Sequence, residues 1–336
     1  MFLRTWHCIV LMIAALRISS AWAAAPVDPS PRPEQAAPGV WVIQGSVIAN
    51  REPDGNSVIF EVPQGLVVVD TGRHEWHRRA LLEFARSQQK PVVAVINSHW
   101  HLDHVSGNPA LRAEYPGLQV YASDAIDRAL NGFLATSARE AARYINDPQI
   151  PQETRADIRA DVLTIQNGAR LRPDVVIGTS GSMTVGGQVF DINLARNAAT
   201  NGDIWLYDAK SGVAVLGDLV TLPAPFLDTA CPEGWKAALA QVAITPFTAA
   251  IPGHGAPMGQ AQFSLYRRSF ESFIDCSKSK RSAEECAANW ANAIQSLLPT
   301  GADEVQHVKK TAGYYVEMLR ANSGRSKYCE APASVG

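Results

Sequence analysis

The segment that most constrains this chain is Asn97–His104, which reads Asn-Ser-His-Trp-His-Leu-Asp-His. It places three imidazoles and one carboxylate within six residues, and these groups bind zinc and similar divalent ions. The apolar run Pro91–Asn97 before it predicts a short strand that is buried on both faces. A tight turn can then point His99 and His101 to one metal position, and Asp103 and His104 to a second. The pattern predicts a metal site with room for two ions, rather than a polar loop that is rich in histidine by chance.

Three shorter motifs stand in a consistent order around this segment. They are Val68–Gly72 before it, and Leu216–Leu219 and Ile251–Gly255 after it. Over roughly residues 40–258, the four motifs together resemble those of the metallo-β-lactamase-like hydrolase superfamily. The resemblance implies an α/β fold, a four-layer αββα sandwich, here with a C-terminal helical appendage.

The same resemblance implies roles for the polar residues of these motifs. Asp70 would support the metal-binding loop without touching the metal, as residues behind a ligand commonly do. Asp218 would bridge two metals, and Asp103 would also be the catalytic residue that orients the attacking water. The resemblance also implies that each chain binds one or two Zn²⁺. The implied ligands are His99, His101, Asp103, His104, Asp218 and His254.

One position departs from the family pattern. The third motif of the family carries a histidine where the stretch Asn197–Asp203 has Ala199, and alanine has no lone pair to offer a metal. The first metal position then keeps three ligands, His99, His101 and Asp218. Either the metal binds mainly at the second position, or another side chain fills the gap. The candidates are His74 and His77, whose simpler interpretation is as polar residues at a helix start, and the poorer ligands Asn197 and Asn201.

The first 25 residues differ in composition from the rest of the chain. Arg4 precedes the apolar run Cys8–Leu16, and Ala21-Trp22-Ala23 has the small-x-small pattern of a cleavage site. These features predict a signal peptide that is cleaved near Ala23 to Ala25, and hence a periplasmic or secreted protein. A retained membrane anchor is the alternative, but the apolar run is short for a bilayer and Arg17 interrupts it.

Cleavage removes one cysteine and leaves four, namely Cys231, Cys276, Cys286 and Cys329. An even number in an oxidising compartment permits two disulfides, against the alternative of unpaired thiols. The sequence leaves three connectivities open, with a local Cys276–Cys286 bridge the simplest by spacing.

Composition divides the chain into four parts. The parts are a signal peptide (1–25), a flexible Pro-rich leader (26–38), the metallo-β-lactamase-like domain (39–260) and a helical C-terminal extension (261–336). Strands are predicted at 57–62 and 65–70 and in pairs over 171–194 and 204–216, and helices at 75–88, 124–162 and 233–244. The extension, which carries Trp290, Tyr314 and Tyr315, either covers the sandwich or offers a surface to a periplasmic protein partner. Phe133, Phe226 and Trp235 either line a substrate groove or, more simply, pack in the core.

The predicted function is that of an exported zinc-dependent hydrolase. It would use a metal-activated water on an ester, lactone, thioester or related bond of a small-molecule substrate. The alternatives are a non-catalytic or one-metal binding protein of the same fold, and a β-lactamase. The last is less favoured because Asp218 stands where common zinc β-lactamases carry Cys or Ser.

The overall charge bears on possible partners. Removal of residues 1–25 takes away Arg4 and Arg17, so 28 basic residues face 32 acidic ones and the formal charge is −4. This charge and the lack of a basic stripe disfavour a nuclease and predict no nucleic-acid partner. No stable membrane anchor is expected after cleavage. In its export, leader and helical tail, the chain is weakly similar to exported superfamily members associated with periplasmic quinoprotein dehydrogenases.

Overall fold

A computed structural model describes residues 30–298 and 302–329. The predicted signal peptide lies outside these residues. Within them, no helix is both long enough and apolar enough to span a membrane.

The first sheet has seven strands, which neighbour one another in chain order. Strands β1 to β4 are antiparallel and β4 to β7 are parallel. The strands are β1 (Pro33–Ala37), β2 (Val40–Ile43), β3 (Ser57–Val62), β4 (Gly65–Val69), β5 (Val92–Ile96), β6 (Gln119–Ala122) and β7 (Val175–Val176). The predicted strands at 57–62, 65–70 and 91–97 are thereby confirmed, with ends that differ by one residue at most.

The second sheet has five strands in the order β12-β11-β10-β9-β8. They are β8 (Gly181–Val185), β9 (Gln188–Ala195), β10 (Asp203–Asp208), β11 (Val213–Thr221) and β12 (Ala249–His254). Strands β11 and β12 are parallel and the other neighbours are antiparallel. The predicted strand pairs over 171–194 and 204–216 correspond to β8–β9 and β10–β11.

The described residues contain ten α-helices. They are α1 (Glu75–Ser87), α2 (Leu102–Val105), α3 (Asn108–Glu114), α4 (Ala125–Asn131), α5 (Phe133–Ala141), α6 (Gln152–Gln166), α7 (Pro232–Ala243), α8 (Gln260–Ser277), α9 (Ala283–Ala293) and α10 (Ala302–Ala321). Helix α9 begins with a capping box, in which the Ser282 hydroxyl accepts from the Glu285 backbone N–H at 3.1 Å.

The two sheets pack face to face with helices on both outer sides. Phe60 of the first sheet meets Phe190 of the second, with ring centroids 5.1 Å apart, in the buried layer between them. Leu81 of α1 packs on the outer face of the first sheet. Trp235 of α7 and Tyr266 of α8 pack on the outer face of the second. These layers confirm the predicted αββα sandwich, and the core position of Trp235 is the simpler of its two predicted roles.

The N-terminal leader needs one correction. Residues 26–38 are predicted to be flexible, but Pro33–Ala37 form edge strand β1, paired antiparallel with β2. Proline is tolerated there because it is the first residue of an edge strand, where its missing N–H leaves no central ladder incomplete.

The C-terminal helices share a core with the sandwich. Trp290 of α9 is buried against Tyr266 and Phe273 of α8, in one hydrophobic cluster with Leu219 of β11 and Trp235 of α7. The extension therefore covers the second sheet, which is one of the two arrangements that its composition allows.

Two disulfides tie this region together. Cys276–Cys286 joins α8 to α9, as the spacing predicts. Cys231–Cys329 joins residues 98 positions apart and holds the segment after α10 against the start of α7.

Candidate metal centre

Two pairs of parallel strands end at the candidate site. Strand β4 ends just before Asp70 and β5 just before the Asn97–His104 segment, while β11 carries Asp218 and β12 ends at His254. The carboxyl ends of parallel strands form the edge at which ligands bind in α/β folds. The fold therefore gathers the four sequence motifs at one edge of the sandwich.

The short helix α2 explains how one segment can serve two positions. His101 has an extended backbone, and α2 begins directly after it. The Thr71 backbone N–H donates to His104 O at 2.8 Å, which holds α2 against the first motif. His99 and His101 thus precede the turn, whereas Asp103 and His104 lie on the helix beyond it.

Asp70 holds the segment from behind through three hydrogen bonds. Its carboxylate accepts from the Ser98 backbone N–H at 2.7 Å, from the Ser98 hydroxyl at 2.6 Å and from His104 Nδ1 at 2.8 Å. Its backbone is left-handed, with φ at 59°, a conformation that residues with side chains keep only where the surroundings fix it. These contacts orient Ser98 and His104, and the support of a bound metal by Asp70 stays a prediction.

Hydrogen bonds determine which ring nitrogen of His99 and of His104 is free. Because the Ser98 hydroxyl donates to Asp70, its oxygen accepts from His99 Nδ1 at 2.9 Å and leaves His99 Nε2 with its lone pair. His104 Nδ1 donates to Asp70, so His104 Nε2 is likewise the free atom. Such bonds set the tautomer and orientation of histidine ligands in metalloproteins.

His101 is held by Thr229, a residue that no sequence motif marks. The Thr229 hydroxyl donates to Ala199 O at 2.9 Å and lies 3.1 Å from His101 Nε2, whose proton it accepts. His101 Nδ1 therefore keeps its lone pair. The buried Ala199 supports His101 indirectly, through its backbone carbonyl.

Asp218 lies between two groups of nitrogen atoms. Its Oδ2 is 3.4 Å from His99 Nε2 and 3.6 Å from His101 Nδ1. Its Oδ1 is 3.2 Å from His104 Nε2 and 3.6 Å from His254 Nε2. One carboxylate oxygen of Asp218 thus faces each group of nitrogen atoms, and its bridging of two metals stays a prediction.

Asp103 completes the second group. Its Oδ2 lies 3.0 Å from His254 Nε2 and 3.6 Å from His104 Nε2, and the two imidazole nitrogens are 3.3 Å apart. Potential ligand atoms of Asp103, His104 and His254 all lie within 4.8 Å of one another, as do those of His99, His104 and Asp218. The structure thus brings together all six side chains that the sequence nominates.

Two glycines allow the strands to close on Asp218. At Gly217, φ is +51° and an added Cβ would lie 2.5 Å from Ser98 Cβ. At Gly253, an added Cβ would lie 2.0 Å from Asp218 Oδ1. Only glycine lets these backbone segments approach so closely.

The buried polar atoms and charges of the site fit a divalent cation. His99 Nε2 and Asp218 Oδ1 are buried and have no hydrogen-bond partner. Burial alone would raise the pKa of Asp103 and Asp218, but the imidazoles beside them, His104 foremost, hold the pKa of both well below the usual range through the positive charge that they carry when protonated and no metal is bound. Two ionised carboxylates in a buried site need positive charge beside them, which a metal bound by these histidines would provide.

Arg73 is a buried cation beside the second group. Its guanidinium bonds to Asp161 of α6, donates to Pro53 O at 3.1 Å and lies 3.8 Å from Asp103 Oδ1. Burial opposes its charge, but Asp161 and Asp103 raise the pKa of Arg73 above its usual value. Arg73 directly follows the first motif, yet its sequence position does not reveal that it faces Asp103.

His74 and His77 do not fill the gap in the third motif. His74 Nδ1 bonds to Asp54 at 2.8 Å and His74 Nε2 lies 3.3 Å from Asp157. His77 Nε2 bonds to the Ser57 hydroxyl at 2.8 Å, and burial lowers the pKa of His77 to about 4. Neither histidine belongs to the two groups of potential ligand atoms.

Comparison with known families identifies the superfamily of the chain. The family model described as "Metallo-beta-lactamase superfamily" matches residues 51–262, which is more than half of the chain. The chain belongs to the metallo-beta-lactamase superfamily. Hydrolases such as alkylsulfatases are members of this superfamily, whose proteins generally bind zinc.

Individual relatives of this superfamily member are distant. The linear primary-alkylsulfatase of Pseudomonas sp. (strain ATCC 19151) is 39% identical over 57 residues, which are 17% of this chain and 11% of that protein. The match thus spans about a tenth of the alkylsulfatase.

Solved structures of the superfamily share the fold. A metallo-beta-lactamase from Pontibacter korlensis has a TM-score of 0.51 at 18% identity, covering 72% of this chain and 99% of that chain. The stereoselective inverting sec-alkylsulfatase Pisa1 from Pseudomonas sp. has a TM-score of 0.60 at 17% identity, covering 91% of this chain and 52% of that chain. This chain therefore spans about half the length of that alkylsulfatase. At these identities the likeness establishes the fold alone.

Proposed function

We propose that this chain is an exported, metal-dependent hydrolase of ester-type bonds in small molecules. The observation that supports the proposal best is the convergence of free imidazole nitrogens on both carboxylate oxygens of Asp218. A divalent metal bound there would lower the pKa of water and polarise the oxygen of the scissile bond.

The two groups of side chains would hold metal unequally. The second position has four donors, Asp103, His104, His254 and one oxygen of Asp218. The first has three, His99, His101 and the other oxygen of Asp218, because position 199 is an alanine. Imidazole and carboxylate donors in this number suit zinc, so we propose one tightly bound Zn²⁺ and a second that binds more weakly.

Asp103 is the residue we propose for handling the attacking water. Its Oδ2 points into the second group, 3.0 Å from His254 Nε2, and Arg73 lies 3.8 Å from its Oδ1. The guanidinium therefore favours the ionised carboxylate, which can accept a hydrogen bond from the attacking water and orient it.

Sulfate esters are the first members of the class to test. One curated relative and one structural neighbour are alkylsulfatases. Hydrolysis of such an ester adds water across the bond and releases an alcohol and hydrogen sulfate. The same arrangement of side chains suits a carboxylic ester, a lactone or a thioester.

The test combines metal analysis with a substrate panel. We expect between one and two zinc ions per chain by elemental analysis after zinc loading. The panel contains octyl sulfate, octyl acetate, a γ-lactone, an acyl thioester, bis(4-nitrophenyl) phosphate and nitrocefin. We expect turnover of at least one of the first four, its loss on chelation with EDTA, and its loss in Asp218→Asn. Zinc-loaded protein that turns over none of them would contradict the proposal.

A binding protein with one metal is the second candidate. The observation that favours it is the buried Ala199, which offers no donor at the first position. It predicts close to one zinc per chain and no turnover of any panel member. Turnover confined to nitrocefin would instead indicate a β-lactamase.

Export is part of the proposal. The two disulfides, Cys231–Cys329 and Cys276–Cys286, are compatible with an oxidising compartment. We expect the protein recovered from a bacterial periplasm to begin near Ala24 to Pro26, as read from its intact mass. A chain that keeps residues 1–25 would contradict this part.

A further inference from the structure

The turn at the end of β12, which carries His254, has backbone carbonyls that need partners from outside its sheet. Strand β12 is an edge strand of the second sheet, with β11 as its neighbour. Its pairing with β11 is irregular at this end, since the register shifts between the pair Gly217 and Pro252 and the pair Thr221 and His254. Buried carbonyls that a regular ladder does not satisfy require donors from elsewhere in the chain.

Asn56 supplies these donors. It directly precedes β3 of the first sheet and is 3% exposed. Its side-chain amide donates to Pro252 O at 2.9 Å and to Gly255 O at 2.8 Å. Its backbone N–H donates to Gly253 O at 2.7 Å. The residues on both sides of His254 are therefore bonded to one buried residue of the other sheet.

The partners of the Asn56 amide fix its orientation. Both hydrogens of its nitrogen go to carbonyl oxygens, and its Oδ1 accepts from the Gly45 backbone N–H at 2.8 Å. The reverse orientation would place the amide oxygen against two carbonyl oxygens. A carboxylate or an aliphatic group of similar size lacks the two donors, so this position requires an amide.

The preceding residue, Gly55, contacts two more members of the second group of potential ligands. Its backbone N–H donates to Asp103 O at 3.1 Å. An added Cβ on Gly55 would lie 2.4 Å from His104 Cε1, so the glycine lies directly against that ring. Residues 55 and 56 together therefore contact the chain segments that carry Asp103, His104 and His254.

Asp54 fixes the start of this short segment. Its buried carboxylate accepts from the backbone N–H groups of Arg73 and His74, at 2.7 and 2.9 Å, just before α1. It also bonds to His74 Nδ1 at 2.8 Å. The segment Asp54–Asn56 is thus held at both of its ends.

We propose that Asn56 is a positioning residue for the second metal position, which holds the imidazole of His254 beside Asp103. This inference rests on the proposed metal-dependent function, and it adds a residue that would not itself touch the metal. Residues behind a ligand control its orientation, so displacement of His254 would lower the metal affinity of the second position. His99 and His101 of the first position have no bond to Asn56 and should bind as before.

The test measures the zinc affinity of the full-length protein by competition with a chromophoric chelator. Asn56→Ala removes the amide and leaves Pro252 O and Gly255 O without their donors. We expect the affinity for the tighter zinc to fall about 10- to 100-fold, while that for the weaker zinc changes little. In Co²⁺-loaded protein, the visible absorption of the tighter ion should shift, because one of its ligands is displaced.

Asn56→Asp is the second variant. It keeps the shape of the side chain and replaces the two donors by a carboxylate oxygen. The added negative charge would by itself attract zinc, so a lower affinity in this variant must come from the lost donors. It also keeps the test decisive if Asn56→Ala fails to fold.

Asp208→Ala is the matched control. Asp208 is likewise buried, and its carboxylate accepts from the backbone N–H groups of Lys210 and Ser211 in the hairpin between β10 and β11. The variant loses buried hydrogen bonds at a position that has none to the metal centre. We expect lower stability, measured by thermal unfolding, with zinc affinity equal to that of the wild type.

The outcomes separate this inference from the proposed function. A selective loss of the tighter zinc in Asn56→Ala or Asn56→Asp, with normal binding in Asp208→Ala, supports the role of Asn56. Folded Asn56 variants that bind zinc as the wild type does, or that lose no more affinity than Asp208→Ala, overturn it and leave the metal-dependent function intact. Failure of the wild type to bind zinc overturns both.

Discussion

Each imidazole of the Asn97–His104 segment has one ring nitrogen engaged in a hydrogen bond and one directed towards Asp218. The partners are Ser98 for His99, Thr229 for His101 and Asp70 for His104. Because these bonds fix both tautomer and orientation, a metal would meet ligands that are already ordered. The entropy of arranging them is lost during folding rather than during binding.

Thr229 gives the sharpest test of this arrangement. Thr229→Val keeps the shape and removes the hydroxyl that accepts from His101 Nε2, so His101 can turn its other nitrogen to the site. We expect affinity for the weaker zinc to fall about 10- to 100-fold, the usual effect of losing a bond behind a metal ligand. Thr229→Ser, which keeps the hydroxyl, should bind zinc nearly as the wild type does. Equal zinc titrations for the two variants would contradict the role of Thr229.

Ala199→His tests the gap in the third motif. An imidazole at position 199 would add a third nitrogen to the first position, so we expect zinc per chain after loading to rise towards two. Ala199→Leu adds volume without a donor and should not raise it. If the stoichiometry of Ala199→His equals that of the wild type, position 199 does not correspond to the family's histidine.

The sequence nominates the six potential ligands because all of them lie in short motifs that stand in a consistent order along the chain. Their binding of metal stays a prediction. Thr229 could not be found in this way, since it is 128 residues from His101 in a loop without a motif. Arg73 and Asp161 could not be identified from the sequence either, because only the packing of α6 against the first motif brings them together.

At the level of elements, two groups of ion pairs attach helix α6 to residues beside the candidate metal centre. Asp161 bonds to Arg73, and Asp157 bonds to Arg51 at 2.5 Å and lies near His74. Helices α4 to α6 lie where helices are predicted for residues 124–162. The attachment of α6 to Arg73, Arg51 and His74 is not predicted from the sequence. It depends on side chains from separate motifs, whose distances in space the chain order does not reveal.

The attachment through His74 should depend on pH. The pKa of His74 is raised by Asp157 and Asp54 although burial opposes it, and the pKa of Asp54 is lowered to about 2, despite burial, by its bond to His74. The His74 contribution is therefore complete below its unfolded pKa of about 6.5 and is lost as pH rises through the raised value. The Asp54 contribution is present above about pH 4 and is lost as pH falls towards 2.

Thermal unfolding of the wild type and His74→Gln measures this effect. We expect the largest loss of stability in the variant, about 2 kcal/mol, between about pH 4 and 6.5. The difference should shrink at higher pH. A difference that grows from pH 6 to pH 9 would show that His74 contributes as a neutral side chain.

The end of strand β12 provides a second test at this level. Gly253→Ala would place a methyl group 2.0 Å from Asp218 Oδ1 and move either the strand or the carboxylate. We expect zinc affinity to fall at least tenfold, since the shared ligand of both positions is displaced. Gly117→Ala is the control, because its added Cβ meets nothing within 4 Å. Normal zinc binding by Gly253→Ala would mean that Asp218 is not a ligand.

At the level of the whole molecule, the helices after residue 260 belong to the core of the sandwich. The sequence indicates their helical character, but amphipathic helices of this kind suit either a covered sheet or a partner surface. The buried positions of Tyr266 and Trp290 show that these helices cover the second sheet, while a partner surface on their outer side stays a prediction. The strand at Pro33–Ala37 was missed because its proline-rich surroundings resemble a linker, and only pairing with β2 orders it.

The two disulfides should differ in their contribution to stability. In the chain-entropy model a bridge stabilises more when it closes a longer loop, by ~5 kcal/mol for Cys231–Cys329 and ~3 kcal/mol for Cys276–Cys286. We expect the Cys231→Ser/Cys329→Ser variant to unfold at lower denaturant concentration than Cys276→Ser/Cys286→Ser. The reverse order would contradict the loop-length argument.

The bridge between Cys231 and Cys329 also has a consequence for biosynthesis. In the proposed export, the chain would emerge from its N-terminal end, so Cys231 would precede its partner Cys329 by 98 residues. Cys276 and Cys286 emerge in the meantime, and either can react with the waiting thiol. Under the proposed export, we expect material made in a strain without disulfide isomerase to contain mispaired molecules, in which the segment after α10 is not held against the start of α7.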